Sequence, residues 1–342
     1  MVSARRVLLI LVFAWASLPC FLAPVLAEKV IKPRSLAKGI LTSIPAATSE
    51  DETFTGPRTI VEIVDGKKEL SWDPPPHYTP QSRTLYELSK NVTFRREVWN
   101  LEFSFKPLRM IEVDVPQPSG KMQRKRIWYL VYRIDYHGNE FKGKAKLDPD
   151  TGNETFPTTI QVERESRRFL PHFVLRSHEK EKEYLDRIIP AAREPILQRE
   201  FPSSEPGMPA LTADQFYNSV EITRVPIPKS EERRQHGVWG FVTWEDIDPR
   251  TDYMSIYIKG LTNAFQFLDP DGAFRAGDAP GKGREFRFKT LQLNFWRPGD
   301  TQLEHENEIR YGMPVGKTEE EKMRLNAFFG VVDRVDHRWI YR

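Results

Sequence analysis

The 342-residue chain has a single cysteine, Cys20. That excludes a disulfide framework and a cysteine-ligated zinc site. No charge of one sign dominates. Lys and Arg number 51 against 48 Asp and Glu, so no basic surplus points to nucleic acid. Glycine, at 19, is scarcer than proline, at 27. This disfavours a long helical bundle and suits strands joined by turns. Catalytic signatures are missing as well. There is no GxSxG elbow, no GxGxxG or Walker loop, and no HExxH or HxH spacing among the seven histidines. With 39% hydrophobic and 29% charged residues, disorder throughout is also excluded.

What is present begins with an export leader. Arg5 and Arg6 form a short positive region, and Val7–Phe13 is an unbroken apolar run. The segment ends Val25-Leu26-Ala27, which suits signal peptidase, so cleavage is expected after Ala27. The 21 residues from Val7 to Ala27 would also reach across a bilayer, but Pro19 and Pro24 interrupt them. Pro19 before Cys20 argues against a lipoprotein. Removing 27 residues leaves 49 basic and 48 acidic residues and no cysteine. Animal secreted domains usually carry disulfides, so the mature chain reads as a bacterial envelope protein, periplasmic or extracellular. It is membrane-anchored through residues 7–27 only if the leader is kept.

Residues 28–93 lack sustained periodicity and read as an extended linker region. Beyond them the β pattern is strong. Trp99, Leu101, Phe103 and Phe105 alternate with polar residues, as do Met254, Ile256 and Ile258. Ile127–Ile134 is apolar on both faces, like a central strand, and Val238–Trp244 has the same character. Phe286 and Phe288 are even while Leu291, Leu293 and Phe295 are odd, which predicts a bulge near Thr290. Val115-Pro116-Gln117-Pro118 and Val225-Pro226-Ile227-Pro228 each precede a basic polar loop and then a strand with a tryptophan, Trp128 or Trp239. This half-to-half likeness predicts a mainly β fold of two immunoglobulin-like β-sandwich modules, at 94–176 and 212–300. A helical linker at 177–211 joins them. There Tyr184, Leu185, Ile188, Ile189 and Ala192 share one helix face, and Pro190 kinks it. The tail, 301–342, reads as helix then strand. Thr318-Glu319-Glu320-Glu321 opens the helix as a capping box and Gly330 ends it.

Three acidic turns are the best candidates for chemistry. One carries Asp148 and Asp150, one Asp246, Asp248 and Asp252, and the third Asp269 and Asp271. Calcium needs several hard oxygen ligands on a tight loop. The same residues also serve plain turns, because Asp caps its own backbone and Gly takes positive φ. The turn reading is preferred, and no cofactor is expected beyond this calcium alternative. Trp72 and Trp339 are the tryptophans free to act as sugar-stacking platforms or to pack at module joints.

The stretches VWGFVTWEDIDPRTD (238–252), IYIKGLTNAF (256–265) and KTLQLNFWRPG (289–299), together with the leader, resemble a group of uncharacterised exported proteins of planctomycete bacteria. The resemblance spans most of the mature chain. It implies export and brings no activity with it.

With no clustered catalytic groups, the expected function is a non-enzymatic envelope protein that binds or scaffolds another macromolecule, an envelope protein or a polysaccharide. One alternative is a secreted polysaccharide hydrolase with paired carboxylates, for which Glu245, Asp246 and Asp248 are candidates. The other is a calcium-dependent adhesive module. The leader generates the first prediction. Intact mass of the protein from its source cell should lack residues 1–27. A full-length mass in the membrane fraction would instead establish an anchor.

Overall fold

The computed structural model describes residues 41–45, 48–49, 52–55, 94–138 and most of 140–342. Within the last range 145, 148, 151, 153, 156–163, 203–209, 232–235, 269, 271–281 and 299–308 are not described. The expected leader, most of the expected linker region and Trp72 lie outside the described residues.

The chain is mainly β, with several sheets. In chain order the principal strands are β1 (Thr42–Ile44), β2 (Glu102–Phe105), β3 (Arg109–Pro116), β4 (Met122–Asp135), β5 (His172–Ser177) and β6 (Lys182–Leu185). Helix α1 (Arg193–Glu200) follows, then β7 (Phe216–Tyr217), β8 (Val238–Trp244), β9 (Tyr253–Lys259), β10 (Phe265–Leu268) and β11 (Glu285–Trp296). The chain ends with β12 (Arg310–Tyr311), α2 (Glu319–Phe329) and β13 (His337–Tyr341).

Strand β4 dictates the layering. Period two puts Trp128, Leu130, Tyr132 and Ile134 on one face and Ile127, Tyr129 and Val131 on the other, and all seven are buried. A strand apolar on both faces must be covered on both. In the first sheet β8 runs antiparallel along one edge of β4. Strands β3 and β2 take successive lengths of the other edge. β1 extends the sheet beyond β2, and β7 lies parallel to β8 at the far side. The second sheet runs β6-β5-β9-β11, with β13 and β12 on the other edge of β11 and β10 on its first four residues.

The two sheets face each other over one core. Phe103 and Tyr132 of the first sheet meet Phe173 of the second, with ring centroids 6.5 and 5.1 Å away. Phe105 meets Phe295 edge-on at 6.0 Å. The opposite face of the first sheet is covered by α1, whose Ile196 and Leu197 pack with Phe201 against Ile127, Tyr129, Phe216 and Phe241. On the far face of the second sheet lies α2, through Leu325 and Phe329. Among the described residues no helix is long and apolar enough to cross a membrane.

The two expected modules are therefore not separate. Residues 32–342 form one unit. β4 and β8, one from each expected module, are neighbours in one sheet and share one core. Trp128 pairs with Trp244 and lies between the sheets, whereas Trp239 pairs with Arg133 and packs edge-on against Phe201 on the opposite face. The Pro-x-Pro motifs differ too. Pro116 ends β3 in a true hairpin into β4, but Pro226–Pro228 pairs with Ser166–Arg168. The likeness between halves is local wording for two unlike connections, so neither half is an immunoglobulin-like unit of its own.

Within the expected helical linker a helix does form, as α1, but the helix face expected from Tyr184 to Ala192 is not seen, because β5 offers a hydrogen-bonding edge to Lys182–Leu185, which become β6. Tyr184 turns into the inter-sheet core, while Ile189 and Ala192 join the cluster under α1. The five residues read as one helix face thus do not share a surface. Pro190 opens a short 3-10 turn ahead of α1 and kinks nothing. No bulge occurs near Thr290 either, since β13 pairs with Lys289–Leu293 in unbroken register. The parity of apolar residues switches because β11 runs past the core, and Phe286 and Phe288 belong to its outer face. Helix α2 matches its sequence signals. Thr318 Oγ1 accepts from the Glu321 N–H at 3.2 Å, Glu321 Oε2 accepts from the Lys317 N–H at 2.7 Å, and Gly330 takes the left-handed conformation at φ 64°.

Two buried ion pairs tie distant segments together. Glu200, at the end of α1, receives Arg109 Nη1 at 2.8 Å and the Tyr129 hydroxyl at 2.6 Å, with Lys106 Nζ at 3.6 Å. Glu52 receives Lys289 Nζ at 2.5 Å and the Tyr341 hydroxyl at 2.6 Å, holding the early chain to β11 and β13. Removing one partner of such a pair costs about 3–5 kcal/mol, because a buried charge is left without compensation.

The β4–β8 register generates a prediction. The Tyr132 ring lies across Gly240, so a Cβ there would sit 2.5 Å from the ring Cζ. Gly240→Ala should destabilise the protein by about 1–3 kcal/mol through overpacking, read as a lower urea midpoint. An unchanged midpoint would mean that Tyr132 does not cross Gly240.

Candidate functional site

The acidic turn between β8 and β9 lies at the mouth of an open cleft of about 410 Å³, lined by Lys180, Lys182, Tyr184, Asp246, Asp248 and Arg250. Asp246 holds a positive φ of 56°, a conformation that Asp tolerates better than most residues. Its carboxylate is exposed and accepts from Lys125 Nζ at 3.3 Å, and the same ammonium donates to Glu245 at 3.0 Å. Asp248 accepts from the Arg250 backbone N–H at 2.9 Å and from its guanidinium at 3.2 Å. The bound Arg250 side chain holds the Asp248 carboxyl below its ordinary range. Asp252 accepts from Arg297 at 3.1 Å, and the buried Arg297 side chain also reaches the Pro249 carbonyl.

Each of these acids thus ties down its own turn. Asp246 and Asp248 share the cleft, but each is engaged by a cation. Asp252 is held from behind by Arg297. Asp150 sits in an exposed turn of a separate two-stranded ribbon, and Asp148, Asp269 and Asp271 lie outside the described residues. Among the described residues no group of three His, Cys, Asp or Glu side chains could hold a metal ion.

A Ser–His pair hides elsewhere. Ser255 Oγ lies 2.7 Å from His178 Nε2 and donates to Asn294 Oδ1 at 2.7 Å. Since the hydroxyl proton goes to Asn294, His178 donates from Nε2. Gln292 Nε2 donates to Asn294 Oδ1 at 2.9 Å and to Ser255 Oγ at 3.2 Å, and Arg338 Nε donates to Gln292 Oε1 at 2.8 Å. The His178 ring packs 4.7 Å from Phe329 of α2. Ser255 is wholly buried and His178 is 6% exposed, so a substrate has no path to the hydroxyl. The layer is a polar seat for α2. Sequence spacing could not reveal it, because its members come from β9, β11 and the end of β5.

The feature that faces solvent is aromatic. In the β10–β11 hairpin Phe265 pairs with Phe288 and Phe267 with Phe286. The four rings form one strip, with centroids 5.7 to 6.5 Å apart. Phe286 is 51% and Phe288 39% exposed. Three cations stand over these rings: Arg96 at 4.3 Å from Phe265, Lys259 at 4.8 Å from Phe288 and Arg284 at 4.0 Å from Phe267. Such contacts contribute about 0.5–1 kcal/mol each at exposed sites. A contiguous exposed aromatic strip is a mark of an interaction site. Its sequence signal was the pair of Phe-x-Phe stretches, 265–267 and 286–288, which burial patterns alone would assign to a core. Trp339, by contrast, is no platform. It packs partly buried against the inter-sheet core, with Lys289 Nζ 5.7 Å from its ring.

No known protein family matches the chain. No curated protein matches it, and no solved structure does.

His178 generates the prediction here. Burial, then the charges of Arg176 and Arg338, push its pKa down to about 4. The unfolded chain therefore takes up this proton first, near pH 6.5. Stability contributed by neutral His178 is present above that value and is lost as pH falls toward 4, at about 1.4 kcal/mol per pH unit. Glu179, whose pKa burial raises, acts in the opposite sense at the lower end of this window. The difference between wild type and His178→Gln isolates the effect. Urea unfolding from pH 7 to pH 4 should show a shallower loss of stability in the variant. Parallel pH curves for the two proteins would exclude a buried neutral histidine.

Proposed function

We propose that this is an exported bacterial protein that binds or scaffolds another macromolecule of the cell envelope, with the β10–β11 face as its contact surface. The observation that carries this reading is the phenylalanine strip of the hairpin, in which Phe286 and Phe288 are exposed and Phe265 and Phe267 half-buried, with Arg96, Lys259 and Arg284 over the rings. Leaving Phe286 and Phe288 partly in water forgoes part of the about 1.5–3 kcal/mol that full burial of such a side chain brings. A partner that covers them recovers part of that. The leader and the cysteine-free mature chain support an envelope location, as does the likeness to exported planctomycete proteins.

A polysaccharide hydrolase would need two carboxylates facing each other across a substrate, one of them free to accept a proton. Asp246 and Asp248 are instead engaged by Lys125 and Arg250, and the Arg250 contact favours the carboxylate form of Asp248. The calcium-dependent adhesive reading has less support still, since Asp252 is committed to Arg297.

The test is a pull-down of mature protein against purified envelope fractions from the source cell, with the captured species identified and repurified. Capture should fall about tenfold or more in the Phe286→Ala/Phe288→Ala double variant, a loss of about 1.4 kcal/mol or more. Degradation of an envelope polymer, abolished by Asp246→Asn or Asp248→Asn, would overturn the binding reading in favour of the hydrolase. A rise in melting temperature on adding calcium would favour the adhesive module.

A further inference from the structure

We infer that residues 313–335, the excursion that carries α2, form a lid that opens from the second sheet as one piece when the pH falls, with the His178–Phe329 contact as its catch. Its neck is narrow. β12 and β13 lie along the same edge of β11, and between them the chain leaves at Gly312 and returns at Asp336. Both ends are tied to one residue of β11. The Gly312 N–H donates to the Asn294 carbonyl at 2.7 Å, and the Asn294 N–H donates to the Asp336 carbonyl at 3.0 Å. Arg334 Nε closes the neck by donating to the Met313 carbonyl at 2.8 Å.

The excursion also has a core of its own. Met313, Leu325 and Phe329 are buried together, and Phe328, Val331 and Val335 pack on them. All six belong to 313–335, and Tyr253 of β9 is the sheet's contribution to the cluster. A short set of contacts therefore holds the lid down. Phe328 stacks on Tyr253 at 5.6 Å, and the His178 ring lies 4.7 Å from Phe329. The Phe329 carbonyl accepts from Gln292 Nε2 and from Arg338 Nη2, both at 3.3 Å. Asn294 Nδ2 donates to the Val335 carbonyl at 3.0 Å. A segment joined to the rest by few buried contacts opens at lower free energy than the whole fold.

The catch is titratable. The charges that face His178 are Arg176 of β5 and Arg338 of β13. β9 and β11 present Ser255, Asn294 and Gln292, which are neutral. Glu179 is turned to the backbone N–H groups of Asp252 and Tyr253, and the charges of Glu321 and Arg324 on α2 act on Tyr253. The C-terminal end of a helix favours a cation, but Arg338 already occupies that place at Phe329. A proton on His178 is thus a third positive charge in a buried space. The closed lid holds the His178 pKa down to about 4, whereas a histidine in water titrates near 6.5. Opening takes up a proton in that window, so the open fraction rises as pH falls, by about twentyfold between pH 7 and pH 5. An open lid presents Phe328, Phe329 and Tyr253 to solvent, an apolar surface that is covered at neutral pH.

The test is hydrogen exchange of the mature protein at pH 7 and pH 5, resolved by peptide and corrected for intrinsic rate. Both values lie above the ordinary carboxylate range. Amides of Arg324–Phe329 should lose about twentyfold in protection at pH 5, while those of Leu130–Ile134 in β4 keep theirs. His178→Gln keeps a donor for Ser255 and takes up no proton, so its α2 amides should show no such change. Phe329→Ala is the second variant, and should free the α2 amides at both pH values while β4 stays protected. Equal loss in α2 and β4 at pH 5 would overturn the inference, because the lid would then open only with the whole fold. Protection of α2 that does not change with pH would overturn it as well. A loss of the same size in His178→Gln would place the catch elsewhere. If Phe329→Ala unprotects β4 together with α2, the lid is not a separate piece and the inference falls.

Discussion

A strand that is apolar on both faces cannot sit at the surface of a β-sheet, and β4 is such a strand. Its inner face, Trp128 to Ile134, demands a second sheet, and its outer face, Ile127 to Val131, demands α1. Much of the architecture follows from meeting both demands at once. β8 completes the hydrogen bonding of β4 and extends both apolar faces. α1 is then fixed over the outer face by Glu200, whose carboxylate gathers Arg109, Lys106 and the Tyr129 hydroxyl. Truncating a large core ring such as Tyr132 or Phe173 would cost about 3–5 kcal/mol, because neighbouring aromatics of both sheets would lose contacts together.

The second sheet solves a different problem. Its inner face is as apolar as that of the first, but its outer face is mixed along its length. Under α2 it carries Ser255, Gln292 and Asn294, all buried and all hydrogen-bonded to one another. The layer also reaches carbonyls beyond the sheet, through Asn294 to Val335 and Arg338 to Phe329. Each of these bonds is worth only about 0.5–1.5 kcal/mol net, but their directions permit one placement of the helix. A purely apolar seat would bury α2 as well and fix it less sharply. His178 fits this layer only as a neutral donor, which is why its burial carries a pH dependence.

The legible parts of the sequence were those governed by neighbours in the chain. Alternation in β9, two-faced apolarity in β4 and the Thr318 cap all depend on local spacing, and each corresponds to the element seen. What was not legible depends on partners far along the chain. Tyr184 and Leu185 are compatible with a helix until β5 presents an edge to them. The two Pro-x-Pro stretches look alike, yet one turns back on itself and the other pairs with Ser166–Arg168. The candidate acids Asp246, Asp248 and Asp252 lie on one turn, but the cations that hold them were not legible in the sequence. Asp246, Asp248 and Asp252 are brought together by the chemistry of a strained reversal, and the cations that neutralise them come from β4, from Arg250 and from beyond the end of β11. The aromatic strip was missed because alternating phenylalanines normally report a core. Phe286 and Phe288 are left in water because they stand on the outer face of β11, beyond the stretch of that face that α2 covers.

That exposure is costly to keep. A short hairpin with four phenylalanines is an aggregation hazard unless something shields it. Cations over the ring faces supply part of the shielding. Arg96, Lys259 and Arg284 lie over Phe265, Phe288 and Phe267, which leaves Phe286, 51% exposed, as the most open ring of the hairpin.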